Sequence, residues 1–551
     1  MTKRRTRNWS LDHPEGGFDY IVVGAGLAGI SCAAALSKMG KRVLVLEQHY
    51  VPGGFAQTFR RKAWVWDVGI HLSGQVGPGH EYGRTLDYLT EGRLGWGALG
   101  EPYDRYYWPD GFRFDYYSDL ERYRDELLEA FPEERQAIDK WHVLVREVGE
   151  TIVPYFMSRG VPRLAARFVQ GSARRFFGTR SQQVLDELTS NERLKAVLCG
   201  QWFYIGSPPS ESAIGNQAFV PYHFSAGAQY PVGGANALVD ELLETVTRAG
   251  GWTRIRADVE QILVSKGRAI GVRVAGQRGG PSEDILARRV VSAIGVRSTV
   301  TRLLPPRYRS RPWAERIAAL KPSCAHVCIF LGFDGDIERA GATRANIGLF
   351  DTWDYEARWQ VDKDAGVGRA PYLFCCFNSL KDDAYDAEPY HTGEVMAPIP
   401  WESVTSWRGT SWRRRPEDYV EFKRQIQDVL LSQYFEALPE LRSHLRYVEV
   451  STPLSTDHYC RPFHGSIYGL EATPERYACE DLRARSRIRD LYYTGVDITS
   501  LGIVGSTMSG LLTAVAAEPL AGLKLAREIP LLSSITRARR RLDSHAMLKW
   551  A

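Results

Sequence analysis

Six residues near the start of the chain, Gly24-Ala25-Gly26-Leu27-Ala28-Gly29, carry glycines at the spacing G-x-G-x-x-G. The first glycine permits a tight turn. The second lets a pyrophosphate approach the backbone, and the third lets a helix pack closely on a strand. A helix that starts there turns its N-terminal amides and its dipole toward a bound anion. Glu47 stands at the end of the next apolar run, where a carboxylate can accept hydrogen bonds from ribose hydroxyls. The chemistry implied is the holding of a dinucleotide.

The elements needed to position these residues are legible around them. Tyr20-Ile21-Val22-Val23 reads as a buried strand, Leu27–Met39 as an Ala-rich helix with Gly40 at its end, and Arg42-Val43-Leu44-Val45-Leu46 as a second strand. Together they form a βαβ unit of the expected size. The motif alone does not choose between NAD and FAD. Gly53-Gly54 follows Glu47, and Trp66-Asp67-Val68-Gly69-Ile70-His71 comes soon after. Near the other end, Leu491–Asp497 precedes Gly502-Ile503-Val504-Gly505-Ser506 and a second helix. A second strand–glycine–helix start supplies another set of backbone amides, which suits a long ligand held at both ends.

Other chemistries lack their residues. There is no G-x-S-x-G nucleophile elbow and no H-E-x-x-H. The eight cysteines form no C-x-x-C pair, and Cys324-Ala325-His326-Val327-Cys328 reads as one face of a buried strand. No metal site is expected.

The order Gly24–Gly29, Glu47, Gly53-Gly54, Asp67-x-Gly69-x-His71, Tyr230-Pro231-Val232-Gly233-Gly234, Tyr468-Gly469-Leu470 and Gly495/Asp497/Gly505 is similar to the phytoene desaturase, carotenoid isomerase and retinol saturase group. The similarity covers nearly the whole chain. It implies a non-covalent FAD. Gly24, Gly26, Gly29 and Glu47 would hold its ADP half, with Ala25, Leu27, Ala28, Gln48, Gly53 and Gly54 as further cofactor-binding positions. Val259 would meet adenine through its backbone. Asp497, with Gly495, would bond the ribityl–pyrophosphate region, and Ile503, Val504 and Gly505 would lie by the flavin ring. His71 would sit beside the isoalloxazine, as the candidate for proton transfer or as a residue shaping the pocket. Gly54 is followed by Phe55 where many relatives have Arg, so phosphate contacts there must come from elsewhere. His223, Asp457-His458-Tyr459 and Tyr468 are polar residues near the motifs, read as structural.

The fold expected is α/β: a Rossmann-type FAD domain of the glutathione-reductase kind, in pieces 1–80, 225–300 and 455–535. A mixed α+β substrate domain, 81–224 and 301–454, is inserted between them. The activity implied is oxidoreduction at carbon–carbon double bonds of an apolar conjugated polyene, with NAD(P)H open as a transient reductant. Saturation, desaturation and isomerisation fit. So do reductive cyclisation of a polyene natural product, amine oxidation, and a redox-inactive lipid-binding flavoprotein. The net charge of +5 on 551 residues does not suit nucleic-acid binding. Thr151–Leu185 contains Arg159, Arg163, Arg167, Arg174, Arg175 and Arg180 among Phe156, Leu164, Phe168, Phe176 and Phe177, without an acidic residue, and is read as a candidate contact with an anionic membrane surface. With no apolar leader and no long apolar run, the expected setting is cytoplasmic or peripheral to a membrane. Residues 536–551 read as a basic tail, and the oligomeric state stays open.

Overall fold

Short runs of Val, Ile and Leu, apolar on both faces, form parallel strands that must be covered on both sides. In the computed structural model, which describes residues 8–529 apart from 78, 363–365, 386 and 388, Phe18–Val23 pairs in parallel with Val43–Leu46 and with Glu283–Ser292. The sheet runs in the order Trp9–Ser10, Trp252–Arg254, Val43–Leu46, Phe18–Val23, Glu283–Ser292, Arg268–Val274, Val259–Ser265, and Leu491–Tyr493 also pairs with Glu283–Ser292. The last two strands in that order are antiparallel and form a hairpin arm.

The helix Leu27–Lys38 is buried at every position except Lys38, which explains its run of Ala33, Ala34 and Ala35. It lies against Ala235–Arg248 and Gly502–Ala517. Gly510 permits the second contact, because a Cβ there would come within 2.7 Å of the Ala28 carbonyl oxygen. The two helices that follow the glycine turns therefore pack together.

A second sheet runs Leu445–Ser451, Ala325–Asp334, Tyr390–Ile399, Tyr372–Cys376, Asn346–Phe350, Asp104–Tyr107, Arg113–Tyr116, antiparallel except where Asn346–Phe350 meets Asp104–Tyr107. Alternation sorts its side chains onto two faces. Val327, Ile329, Leu331 and Phe333 pack in one core with Phe422, Ile426 and Leu430 of the helix Glu417–Ala437. Cys328, Phe330, Phe374, Cys376 and Met396 turn the other way, into the core shared with the first sheet's helices.

Three local expectations change. Helical spacing over Glu134–Val148 predicts a helix; the helix formed runs from Arg135 to Met157, through Pro154. Its buried stripe continues through Ile152, Tyr155 and Phe156, and that burial outweighs the roughly 3 kcal/mol cost of an internal proline. The apolar run Arg289–Ile294 predicts a short strand; the strand formed begins at Glu283, because its exposed first half pairs with the hairpin arm. The basic run 151–185 is in part built into the fold. Arg159 is only 4% exposed and donates to the carbonyls of Tyr477, Cys479 and Leu482. Arg163, Arg175 and Arg180 pair with Asp481, Glu147 and Glu475, and Phe156, Phe176 and Phe177 are buried. Arg174 and Leu164 are exposed; the side chains of Arg167 and Phe168 and the tail 536–551 lie outside the described residues. Among the described residues no helix is long and apolar enough to cross a membrane.

Candidate functional site

One cleft gathers most of the residues singled out from the sequence. Gly24, Gly26, Leu27, Ala28, Glu47, Gln48, Gly53, Gly54, His71, Val259, Gly495, Asp497, Ile503 and Val504 line it. Ala25, Gly29 and Gly505 stand behind its wall. Gly29 is needed for packing, since a Cβ there would meet the Gly24 carbonyl oxygen at 2.1 Å. Gly505 is likewise pressed on the Ser500 carbonyl and does not itself line the cleft; Val504 and Ser506 do.

The cleft fits a long anionic ligand. A Cβ on Gly26 or Gly495 would meet nothing within 4 Å, so the backbone there borders open space. Neither glycine-turn helix has an acidic residue in its first turn, so both positive dipole ends are uncancelled. These are the features that a pyrophosphate and the polar edge of a flavin require. Phe55 lines the cleft where an arginine was missed, and Arg297, Arg302 and Arg461 also line it.

Glu47 and Asp497 serve the chain as well as the cleft. Glu47 accepts from the backbone amides of Ala25 and His49, both at 2.8 Å. Burial pushes its carboxyl up, and those amide bonds pull it back toward the ionised form. Asp497 accepts from Val296 N–H at 2.7 Å and Leu470 N–H at 2.9 Å. It thereby joins three segments that are distant in sequence. Gln48 donates to the Tyr459 carbonyl at 2.5 Å. His223 accepts from Gly74 N–H at 3.0 Å, and His458 stacks on Trp412, so both have structural partners. Tyr468 lines the cleft.

At the inner end the cleft becomes apolar and aromatic. Phe203, Tyr204, Phe219, Phe224, Phe374 and Met396 line it, with His71 among them. His71 Nδ1 faces the wall: Cys376 Sγ lies at 3.5 Å, Asn378 Nδ2 at 3.4 Å and Glu394 Oε2 at 3.7 Å. Burial, then Lys381 and His326, lower the imidazole to about 3, so the ring is neutral near pH 7. With donors at Nδ1, the proton belongs on Nε2. Glu394 is 1% exposed, and burial pushes its carboxyl well up. Lys381 donates to the His71 carbonyl at 2.9 Å and is itself lowered by burial. Asp67 is hydrogen-bonded by Tyr230 and pushed up to about 7 by burial. Sequence reasoning missed Cys376, Asn378, Lys381 and Glu394. One signal was available: Glu394 is a lone carboxylate in the apolar strand Gly393-Glu394-Val395-Met396.

An α/β chain with paired glycine turns on one cleft is the architecture of a flavin-dependent oxidoreductase. The family described as flavin containing amine oxidoreductase matches residues 27–517, and the chain belongs to it. Within it, the chain falls with the phytoene desaturase, carotenoid isomerase and retinol saturase group. It is 30% identical over 517 residues to the all-trans-retinol 13,14-reductase of Danio rerio, covering 90% of this chain and 85% of that one. It is 22% identical to the chloroplastic prolycopene isomerase of Daucus carota, over 94% and 82% of the two chains. Among solved structures, an oxidoreductase from Methanosarcina mazei superposes with a TM-score of 0.60 at 15% identity, over 89% of this chain and 98% of that one, and shares its fold.

Proposed function

We propose that this protein binds FAD non-covalently and reduces a carbon–carbon double bond of an apolar, conjugated, retinoid- or carotenoid-like polyene. The observation that carries the reading is the 30% identity to a retinol reductase over nearly the full chain, joined to an aromatic inner cleft. FAD supplies hydride exchange with the substrate. Gly26, Gly53 and Gly54 accommodate the pyrophosphate, Glu47 the ribose, and Val259 the adenine. Ile503 and Val504 border the flavin ring. Phe203, Phe219, Phe224 and Phe374 exclude water and stack along the polyene. His71 presents Nε2–H to the reacting carbons. Burial pushes the Glu394 carboxyl well up, which weakens the negative charge available to an ammonium group and disfavours an amine substrate. A hydride donor of the nicotinamide class would reduce the cofactor. A reducing, cytoplasmic setting is supported by eight free cysteines.

The test is anaerobic. The purified holoenzyme is reduced, mixed with all-trans-retinol or a carotenoid, and followed at the flavin absorbance. Flavin reoxidation with a blue-shifted polyene spectrum is expected. Reoxidation of the reduced holoenzyme by neither polyene, with fast flavin reduction by small amines instead, would refute the reading. The likeness to a prolycopene isomerase favours one second reading, net isomerisation. That outcome would leave the polyene's mass unchanged and the flavin reduced.

A further inference from the structure

Behind the His71 ring lies a buried polar cluster that nothing in the cofactor site requires. The His71 Nδ1, Cys376 Sγ and Glu394 carboxylate oxygen all lie within 4.8 Å of one another. Glu394 Oε2 is enclosed and makes no hydrogen bond, while Oε1 accepts from Asn378 Nδ2 at 3.2 Å. A carboxyl group in the middle of a sheet, with one oxygen bonded and the other aimed at an imidazole nitrogen, is expensive as structure alone. Strand pairing places it there: Cys376 is opposite Glu394 on neighbouring strands, and Met396, two residues on, shares the cleft-facing side.

We propose that Glu394 is the proton store behind His71, and that the pair delivers the proton to the polyene carbon next to the one that takes hydride. The inference rests on the polyene reading above. The balance is as follows. One carbon of the double bond takes hydride; its neighbour uses the π pair to bond the proton leaving His71 Nε2. The proton of Glu394 moves to Nδ1, so the ring stays neutral and a glutamate carboxylate remains. The two electrons come from FAD, itself reduced by a nicotinamide-class donor. A solvent proton then enters at Nε2, and Nδ1–H returns its proton to Glu394.

The surroundings suit both states of Glu394. The groups facing it are His71, Cys376, Cys328, Asn378, Lys381 and Asp67. Burial first, and the Asp67 carboxyl second, push the Glu394 carboxyl well up, which favours its protonated form at rest. Lys381 and Asn378 favour the carboxylate once the proton has left. The 3.7 Å separation of Nδ1 and Oε2 must contract for the proton to pass.

Two measurements test the relay. The first needs no substrate. Difference infrared spectra of oxidised against photoreduced holoenzyme should show a protonated-carboxyl C=O band. It should vanish in Glu394→Gln and shift in His71→Gln, which keeps Glu394 in place. Absence of a Glu394-dependent band overturns the proposal. The second is flavin reoxidation by all-trans-retinol under anaerobic single turnover. Glu394→Gln should bind FAD normally, slow reoxidation by about 100-fold, and lose the solvent deuterium effect on that step. The double variant with His71→Gln should be no slower than the worse single variant, because the two act as one unit. A Glu394→Gln enzyme with wild-type rate and deuterium effect removes the relay alone. A wild type that no polyene reoxidises removes the polyene reading and the relay with it.

Discussion

Substituting Gly26 and Gly29 separately distinguishes a glycine that serves the cofactor from one that serves the fold. Gly26 has φ −72° and ψ 170°, a backbone that alanine adopts freely, and its added Cβ would meet no protein atom within 4 Å. Gly26→Ala should therefore leave the apoprotein as stable as wild type, within about 0.5 kcal/mol. The methyl group would enter the space assigned to the pyrophosphate. Displacing one charge-assisted amide–phosphate bond and pushing the anion off the helix start should cost about 3 kcal/mol, or roughly 100-fold in Kd. Gly29→Ala has the opposite signature. Its Cβ would stand 2.1 Å from the Gly24 carbonyl oxygen and 3.1 Å from the Ala293 Cβ. The helix would have to shift off the strand, at a cost of about 2 kcal/mol or more in stability. Thermal unfolding of the apoproteins and flavin-fluorescence titration with FAD separate the two effects. The reasoning is refuted if Gly26→Ala binds FAD with wild-type Kd, or if it unfolds as readily as Gly29→Ala.

Two further predictions concern buried charges. Asp67 has its carboxyl raised by burial to about 7, so the folded protein holds a proton between pH 3.8 and about 7 that the unfolded chain releases. Its contribution to stability is complete below that window and is lost as pH rises through it. Denaturant titrations from pH 4.5 to 7.5 should show a shallower pH slope in Asp67→Asn than in wild type; parallel slopes would exclude this assignment. Arg159→Ala leaves the carbonyls of Tyr477, Cys479 and Leu482 without their donor, at a cost of roughly 3 kcal/mol, whereas exposed Arg174→Ala should change stability by less than about 0.5 kcal/mol. Equal melting temperatures for the two variants would show that the basic run is a surface feature after all.

Much of the cofactor end was legible in the amino-acid sequence because its determinants are local. A strand, a glycine turn and a helix start are encoded by adjacent residues, and Gly24–Gly29, Glu47 and Gly495–Val504 could be read without knowing what packs on them. The inner wall was different. Cys376, Asn378, Lys381 and Glu394 carry no motif, and they come to His71 from more than 300 positions away only because Tyr372–Cys376 and Tyr390–Ile399 pair in one particular register. A shift of one residue would turn Glu394 to the opposite face. Burial was equally hidden: Arg159 and Arg163 look alike in a basic run, yet one is enclosed among carbonyls and the other is half-exposed on Asp481. Charge along a chain is set by residue type. Whether a charge meets water, an ion partner or an apolar wall is set by long-range packing, and it is that packing which makes His71 neutral and pushes the Glu394 carboxyl up.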